Sequence, residues 1–348
     1  MKIHENYNLS KLNTFGISAK AKFFVEVKNE EELKELFDNQ EFSNISKLFL
    51  GSGSNILFSK DFDGLVILNK LKGIEIIKDD NEYVFVKSMG GEIWHDFVLF
   101  TVEHNLWGIE NLSLIPGTVG AAPVQNIGAY GVEIKDALES VEVFDTRTGE
   151  KKILSKEECK FGYRECVFKN EFKDRYFITA VIFKLNKTKN EKANYKALQE
   201  YLENNSIIVN SPKDISNIVS TIRKSKVPDP AVIPNAGSFF KNVFVSEERM
   251  RELLTVHPEM PYFEEETLPQ SFPEIKLEKM KIPAGWLIEQ CGWKGEKIGN
   301  VGVYDKQALI LVNYGKASGG EILNLANSII KDVKDKFGLE LVPEVNLI

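Results

Sequence analysis

The sequence is poor in the features that most often declare a function early. It holds three cysteines and four histidines in 348 residues. Cys159, Cys166 and Cys291 suit a reducing compartment rather than a disulfide framework. The scattered histidines give no metal-ligand spacing, so a metal-free protein is expected. No apolar run approaches the roughly 18 residues of a membrane span, and the opening MKIHENYNLSKLNTFGI has no apolar core of signal-peptide length. A strongly basic block is missing as well. The 44 Lys+Arg stand against 51 Asp+Glu, a net charge of −7, which argues against nucleic acid as a main partner. These absences predict a cytoplasmic protein with neither membrane nor nucleic acid as partner, in which a few placed cations meet any polyanionic ligand.

What is present is ordinary in bulk and specific in detail. Hydrophobic residues at 43% and charged residues at 27% are globular values, and the length predicts two or three domains. EELKELF (31–37) is spaced as a short amphipathic helix, and SKLFLGSGSNILF (46–58) reads as strand, glycine-serine loop and second apolar run. EYVFVKS (82–88) alternates like a strand before GEIWHDFVLFTVEHN (91–105) turns to helical spacing. Residues 140–155 read as a hairpin and 175–185 as a buried strand. SPKDISNIVSTIRKSKVPDP (211–230) reads as a helix with Ile215, Ile218, Val219 and Ile222 on one face, stopped by Pro228 and Pro230. SFFKNVFVS is expected as one strand, EERMRELL as a helix, and 301–315 as two strands around a turn. Ser318 and Glu321 form a capping-box signature for a helix to Phe337, closed by Gly338, before a last strand LELVPEV.

Five stretches could carry chemistry. LGSGSNILF (50–58) offers close backbone approach and N–H and O–H donors, as a phosphate cradle or as a plain turn. It is not a P-loop, and Ile56 stands where the dinucleotide fingerprint needs its third glycine. IPGTVGAAPVQNIGAYGVEI (115–134) would let main chain lie against a flat ligand, with Gln125 and Asn126 as amides for ring heteroatoms; a tightly packed connection also explains its glycines. In CKFGYRECVFK (159–169), Arg164 is a surface charge, a member of an ion pair or a bidentate carboxylate ligand. Lys226 in KSKVPDP is a phosphate contact or a solvated helix end, and Glu344 alone would pass as a surface carboxylate. Ser238, between Gly237 and Phe239-Phe240, either begins a buried strand or delivers a proton from a water-poor pocket.

In order along the chain, LNTFGI, LGSGSNILF, IPGTVGAAPVQNIGAYG, FGYRE, KVPDP, NAGSFFKN, KIPAGWLIEQCGWKG and PEV resemble the UDP-N-acetylenolpyruvoylglucosamine reductase family. The resemblance implies an α+β fold: a vanillyl-alcohol-oxidase-type FAD-binding region of two α/β subdomains over 1–190, divided near 70. A substrate loop and linking helix over 191–230 and a C-terminal substrate domain over 231–348 would follow. It implies non-covalent FAD, with NADPH as hydride donor and UDP-N-acetylglucosamine enolpyruvate as substrate, and a monomer is expected. Carried over residue by residue, it makes Ser238 the proton donor, with Arg164 and Glu344 stabilising the reduced intermediate. Gly51, Ser52, Gly53, Ser54 and Asn55 would hold FAD together with Pro116, Gly117, Thr118, Gly120, Ala121, Gln125, Asn126, Gly128, Ala129 and Tyr130. Tyr163, Tyr195, Lys226 and Asn242 would meet the substrate, with Arg223 adding to the positive field for its diphosphate. The chain departs from the family pattern at Cys166, Val243 and Asn346, where serine, proline and arginine are usual. Two rivals remain at this point. Another FAD oxidase would have no need of NAGSFFKN and PEV, and a non-catalytic sensor would not need Ser238, Arg164 and Glu344 together.

Overall fold

The computed structural model describes residues 1–42, 44–189, 196–205, 207–264 and 280–348. The chain divides into two compact units, one of residues 1–7, 21–52 and 63–224 and the other of residues 8–20, 53–62 and 225–348. The division therefore falls inside the first glycine-rich loop, between Ser52 and Gly53.

The first unit carries two sheets. One has the strand order Ile3–Asn8, Lys20–Val27, Phe62–Asn69, Ser46–Leu50, the last two running parallel. The other is antiparallel, in the order Lys151–Ser155, Leu138–Asp145, Tyr176–Asn186, Tyr83–Met89, Ile74–Asp79. Tyr176–Asn186 is central and reads as a continuous apolar run, because both its faces are covered. Tyr83–Met89 alternates, burying Val84, Val86 and Ser88. The helix Trp94–Glu103 buries Trp94, Phe97, Val98, Thr101 and Val102, spacing that lays one stripe on the core of the second sheet. Phe144 and Phe177 point the other way, into the core formed by Val25, Leu33, Leu36, Leu65 and Ile67.

In the second unit, Asn235–Ser238, Ile310–Asn313, Val301–Val303 and Lys297–Ile298 form an antiparallel sheet. Val243–Val245, Met280–Ile282 and Phe263–Glu264 form a smaller one, and Ile56–Leu57 pairs in parallel with Asn346–Leu347. The helix Gly319–Phe337 begins in the expected capping box of Ser318 and Glu321 and ends at Gly338 with φ +64°. Two expectations give way here. SFFKNVFVS is not one strand: its ends belong to different sheets, because the chain leaves the first sheet after Ser238, bridges Pro343 at Phe240 and joins the second sheet only at Val243. LELVPEV is not a strand either; its Pro343 makes a single bridge to Phe240, and the final strand is Asn346–Leu347. Among the described residues no helix is long and apolar enough to cross a membrane.

One buried charge pins three strands of the antiparallel sheet at one end. Asp145, wholly buried, accepts hydrogen bonds from Arg175 Nη2 at 2.7 Å, Lys152 Nζ at 3.2 Å and the Arg147 amide at 3.1 Å. Burial pushes its carboxyl up, but these bonds outweigh burial and bring it down to about 2. A folded-state value below the unfolded one, about 3.9, stabilises the fold above pH ~4, and that stability is lost as pH falls toward 2. Asp145→Asn, which leaves two cations without their acceptor, is expected to destabilise the protein by about 3 kcal/mol at pH 7 in urea denaturation. The gap from wild type should narrow as pH falls from 4 to 2. A gap that stays constant over that range would contradict the assignment.

Candidate functional site

The first two chemical stretches meet within the first unit. A Cβ placed on Gly51 would collide with Thr118 Oγ1 and lie 3.3 Å from the Ala121 Cβ, so the loop after Ser46–Leu50 lies against residues 118–121. Ser52 Oγ and Thr118 Oγ1 are both shielded from solvent and have no hydrogen-bond partner among the described residues. Buried hydroxyls left in this way call for an external acceptor or donor. A phosphate-bearing or heteroaromatic ligand fits that demand, and FAD has both features. Gly120 does a different job: its N–H donates to Gly90 O at 2.9 Å, and a Cβ there would lie 2.9 Å from the Gly90 Cα. Gly117 accepts from the Trp94 amide at 3.1 Å, and exposed Pro116 precedes it.

The second half of that stretch builds a seat for Arg164. Asn126 is fully buried at φ +42°, donating to Glu133 Oε2 and Gly162 O at 2.9 Å each and accepting from the Lys135 amide at 3.3 Å. Its side chain is thus spent on tying residues 126, 133 and 162 together. Gly128-Ala129 pairs with Val132-Glu133 around Tyr130-Gly131, both at positive φ, the geometry of a tight mirror-image turn. Arg164, itself at φ +56°, donates to Asn126 O at 3.3 Å and Gly128 O at 2.9 Å. A side chain at 128 would crowd its Nη1 at 3.0 Å, so the glycine admits the guanidinium. Tyr163 lies beneath it, 5.3 Å from ring centroid to Cζ. Gln125 is half-buried next to this seat in sequence. Cys166, in the usual serine's place, sends its thiol to Val124 O at 3.0 Å, and burial holds that thiol up at about 12, an inert value.

In the second unit the main chain that follows Ser238 pairs with the segment that carries Glu344. Glu344 N donates to Phe239 O at 2.7 Å, Lys241 N to Val342 O at 2.9 Å, and Phe239 N to Leu309 O at 2.7 Å. Against Ile310–Asn313, Asn235 faces Val312 and Ser238 faces Ile310, so one extra residue is taken up at Gly237, at φ +70°. Such a bulge re-aims the next side chain, here the serine. Phe239 and Phe240 are both buried and pack edge to face at 5.1 Å, because the chain leaves the sheet after Ser238. Asn55 joins this assembly: its Nδ2 donates to Glu344 O at 3.3 Å, and its own carbonyl accepts from Asn346 N at 3.1 Å and Asn346 Nδ2 at 2.9 Å. Asn346 thus serves the loop of Gly53, Ser54 and Asn55 even without the usual arginine. Gly53, at φ +64°, packs on the Leu12 carbonyl, where a side chain would collide.

Lys226 is exposed at the end of the helix Pro212–Lys226. The turn that follows it is pinned by Asn235, whose side chain donates to Pro228 O at 3.1 Å and accepts from Gly237 N at 2.8 Å. Asn242 accepts from the Ala284 amide at 3.1 Å, capping the helix Ala284–Gln290. Tyr195 lies outside the described residues. Asn235 is the linking residue that sequence reasoning missed, although its place in PNAG, just before the bulge glycine, was a visible signal. Among the described residues no cluster of three or more His, Cys, Asp or Glu could hold a metal ion.

The comparisons agree along the chain. A family model described as an FAD binding domain matches residues 21–155. A second, described as the C-terminal domain of UDP-N-acetylenolpyruvoylglucosamine reductase, matches residues 229–348. The reductase of that name from Flavobacterium johnsoniae is 48% identical over 100% of both chains. That from Neisseria gonorrhoeae is 46% identical over 97% of this chain and 95% of its own. The crystal structure of the Thermus caldophilus reductase, 24% identical, covers 100% of this chain and 99% of its own with a TM-score of 0.65, a likeness of fold. The fold is accordingly α+β, an FAD-binding region followed by that C-terminal domain.

Gly51→Ala tests the meeting of the two loops. Forcing a methyl against Thr118 should destabilise the flavin-free protein by about 1–3 kcal/mol, read from its urea midpoint. An unchanged midpoint would mean that the loops do not touch.

Proposed function

The chain belongs to the UDP-N-acetylenolpyruvoylglucosamine reductase family, and from that membership we propose how its own residues divide the reaction. It catalyses the NADPH-dependent, FAD-mediated reduction of UDP-N-acetylglucosamine enolpyruvate to UDP-N-acetylmuramate in peptidoglycan precursor synthesis. The observation that carries this to the residues is the pair of shielded, unpartnered hydroxyls, Ser52 and Thr118, on two glycine-rich stretches. Residues 51–55 and 116–130 would hold FAD, and no histidine or cysteine lies within them for covalent attachment. When bound, FAD supplies the position that takes a hydride from NADPH and later gives it to carbon, so two substrates use one site in turn.

Arg164 acts on charge. Hydride addition at C3 of the enol ether drives negative charge onto the substrate carboxylate, and a guanidinium already fixed by Asn126 and Gly128 stabilises what grows there without reorganising. Ser238 delivers the proton to C2. A hydroxyl is a weak acid in water, but one aimed by a bulge and backed by two buried rings can serve an enolate-like carbon in a preorganised pocket. A bare negative charge at Glu344 would oppose the developing one, so Glu344 contributes through a proton that it holds or a bound water or cation that it orients. Its support is the main-chain bond that sets it beside Phe239.

Lys226 we assign to the substrate diphosphate, with Asn242, Tyr163 and Tyr195 completing the substrate contacts. The Asn235 bonds hold the turn after Lys226 to the strand that bears Ser238. We divide the labour as FAD over 1–190, a substrate loop and linking helix over 191–230, and substrate over 231–348, which the two family matches support. A cytoplasmic monomer is the working form we assign, since UDP-linked precursors and NADPH are cytoplasmic metabolites.

Ser238→Ala separates the two half-reactions. The variant should bind FAD and be bleached by NADPH at a near-normal rate. Its reduced flavin should then reoxidise about 10²–10⁴-fold more slowly with the enol ether. Reoxidation at the wild-type rate would return Ser238 to a purely structural place.

A further inference from the structure

Of the described non-glycine residues at positive φ, Leu114, at φ +57°, is the only one with an aliphatic apolar side chain. Asparagine or aspartate can bond locally in that conformation, but a leucine has no such group and must be held from outside. Leu114 leads through Ile115, Pro116 and Gly117 to Thr118, whose shielded hydroxyl has no hydrogen-bond partner among the described residues.

The hold comes from the start of the helix Trp94–Glu103. Trp94 Nε1 donates to Leu112 O at 2.8 Å and Trp94 N to Gly117 O at 3.1 Å. Ile93 bridges Thr118, and Val119 N donates to Glu92 O at 2.9 Å. Between these points the Leu114 amide donates to His95 Nδ1 at 3.1 Å. A main-chain N–H can only donate, so Nδ1 must carry the lone pair and the proton sits on Nε2. An imidazolium has an N–H at both nitrogens, so protonation turns this acceptor into a second donor facing the first.

His95 is half-buried, and burial depresses its imidazole below the ordinary value. Asp96 of its own helix pulls the other way, while Lys224 and Arg223 of the helix Pro212–Lys226 push it down again. The segment 112–118 to which it bonds brings no charged side chain. The bond is therefore complete above pH ~6.5 and is lost as pH falls through the depressed value.

We infer that His95 is a positioning residue for the cofactor: its unprotonated Nδ1 holds Leu114 in the left-handed conformation from which the chain runs on to Thr118. The inference rests on the FAD site proposed above. A cofactor resting on residues 116–118 opposes displacement of residue 114, so His95 is harder to protonate in holoprotein than in flavin-free protein. FAD affinity must then fall with pH. The test titrates flavin-free wild type, His95→Asn and His95→Leu with FAD, by fluorescence quenching, between about pH 8 and about pH 5. Wild type should bind FAD about five-fold or more weakly at the acid end. His95→Asn keeps an acceptor that does not titrate, so it should match wild type at pH 8 and lose little on acidification. His95→Leu should be weak by a similar factor at every pH. Wild-type affinity that does not change with pH, an acid loss that persists in His95→Asn, or a defect in His95→Leu that asparagine does not relieve overturns the inference. If His95→Leu does not fold, the other two proteins decide. An acid loss in wild type that asparagine abolishes supports the inference, and any other result refutes it. Wild type that binds no FAD at any pH would count against the proposed function itself.

Discussion

Main chain rests directly on main chain where residues 117–120 meet residues 89–94, and the first unit is arranged around that contact. Gly120 N bonds Gly90 O and Val119 N bonds Glu92 O, both at 2.9 Å, while Gly90 N bonds Thr179 O at 2.7 Å and Gly91 N bonds Leu71 O at 3.0 Å. Four segments thus share one small volume. The buried Asn69 closes it, donating to Ile178 O at 2.9 Å and accepting from the Leu71 amide at 3.1 Å. A Cβ on Gly90 would lie 2.6 Å from Ile178 O, nearer than packing permits. With the main chain fixed so closely, Thr118 has little freedom to turn toward a partner inside the protein. Its unpartnered hydroxyl follows from this packing.

The two units solve the problem of holding a polar group still in different ways. Around Arg164 the chain accepts unfavourable backbone geometry, with Asn126, Tyr130 and Arg164 all at positive φ, and fixes it by saturating the Asn126 side chain. Around Ser238 the means are a single bulge and a glycine, with open space where a Gly237 side chain would go. Departures from the family pattern are absorbed locally in both places. A thiol at Cys166 still reaches the Val124 carbonyl, Val243 joins a ladder opposite Ile282, and Asn346 still grips the carbonyl of Asn55.

Where sequence signals are local, they read through to structure. The capping box at Ser318, the glycine stop at Gly338, the hairpin of 138–155 and the helix Pro212–Lys226 all follow from residues a few positions apart. Signals that depend on distant partners did not show. The strands Ile3–Asn8, Lys20–Val27 and Phe62–Asn69 went unnoticed, and the last two pair across a long stretch of intervening chain. SFFKNVFVS looked continuous because its alternation cannot reveal that Asn242 is engaged by Ala284. Among the site residues, the glycines were visible as a class but not by task. Gly51 and Gly120 look alike in sequence, yet one lies against Thr118 beside two unpartnered hydroxyls and the other fills space against Gly90. Arg223 on an inward helical stripe was readable from its spacing to Val219, a clue that its surface-like neighbours Lys224 and Lys226 obscured.

The bond between Asn55 and Glu344 spans 289 residues of chain. Strand Ile56–Leu57 likewise waits for Asn346–Leu347 before its parallel pairing exists. At about 5–20 residues per second on the ribosome, roughly 15–60 s separate the synthesis of the two partners. During that interval the nascent chain has Gly53, Ser54 and Asn55 but not the segment that fixes them, so the second unit cannot finish assembling co-translationally until residues 344–347 have left the exit tunnel. Loop-closure entropy then opposes a late, long-range step. Truncated products of stalled ribosomes would therefore carry a formed first unit beside an unfinished second one, with apolar strands exposed to proteases and chaperones.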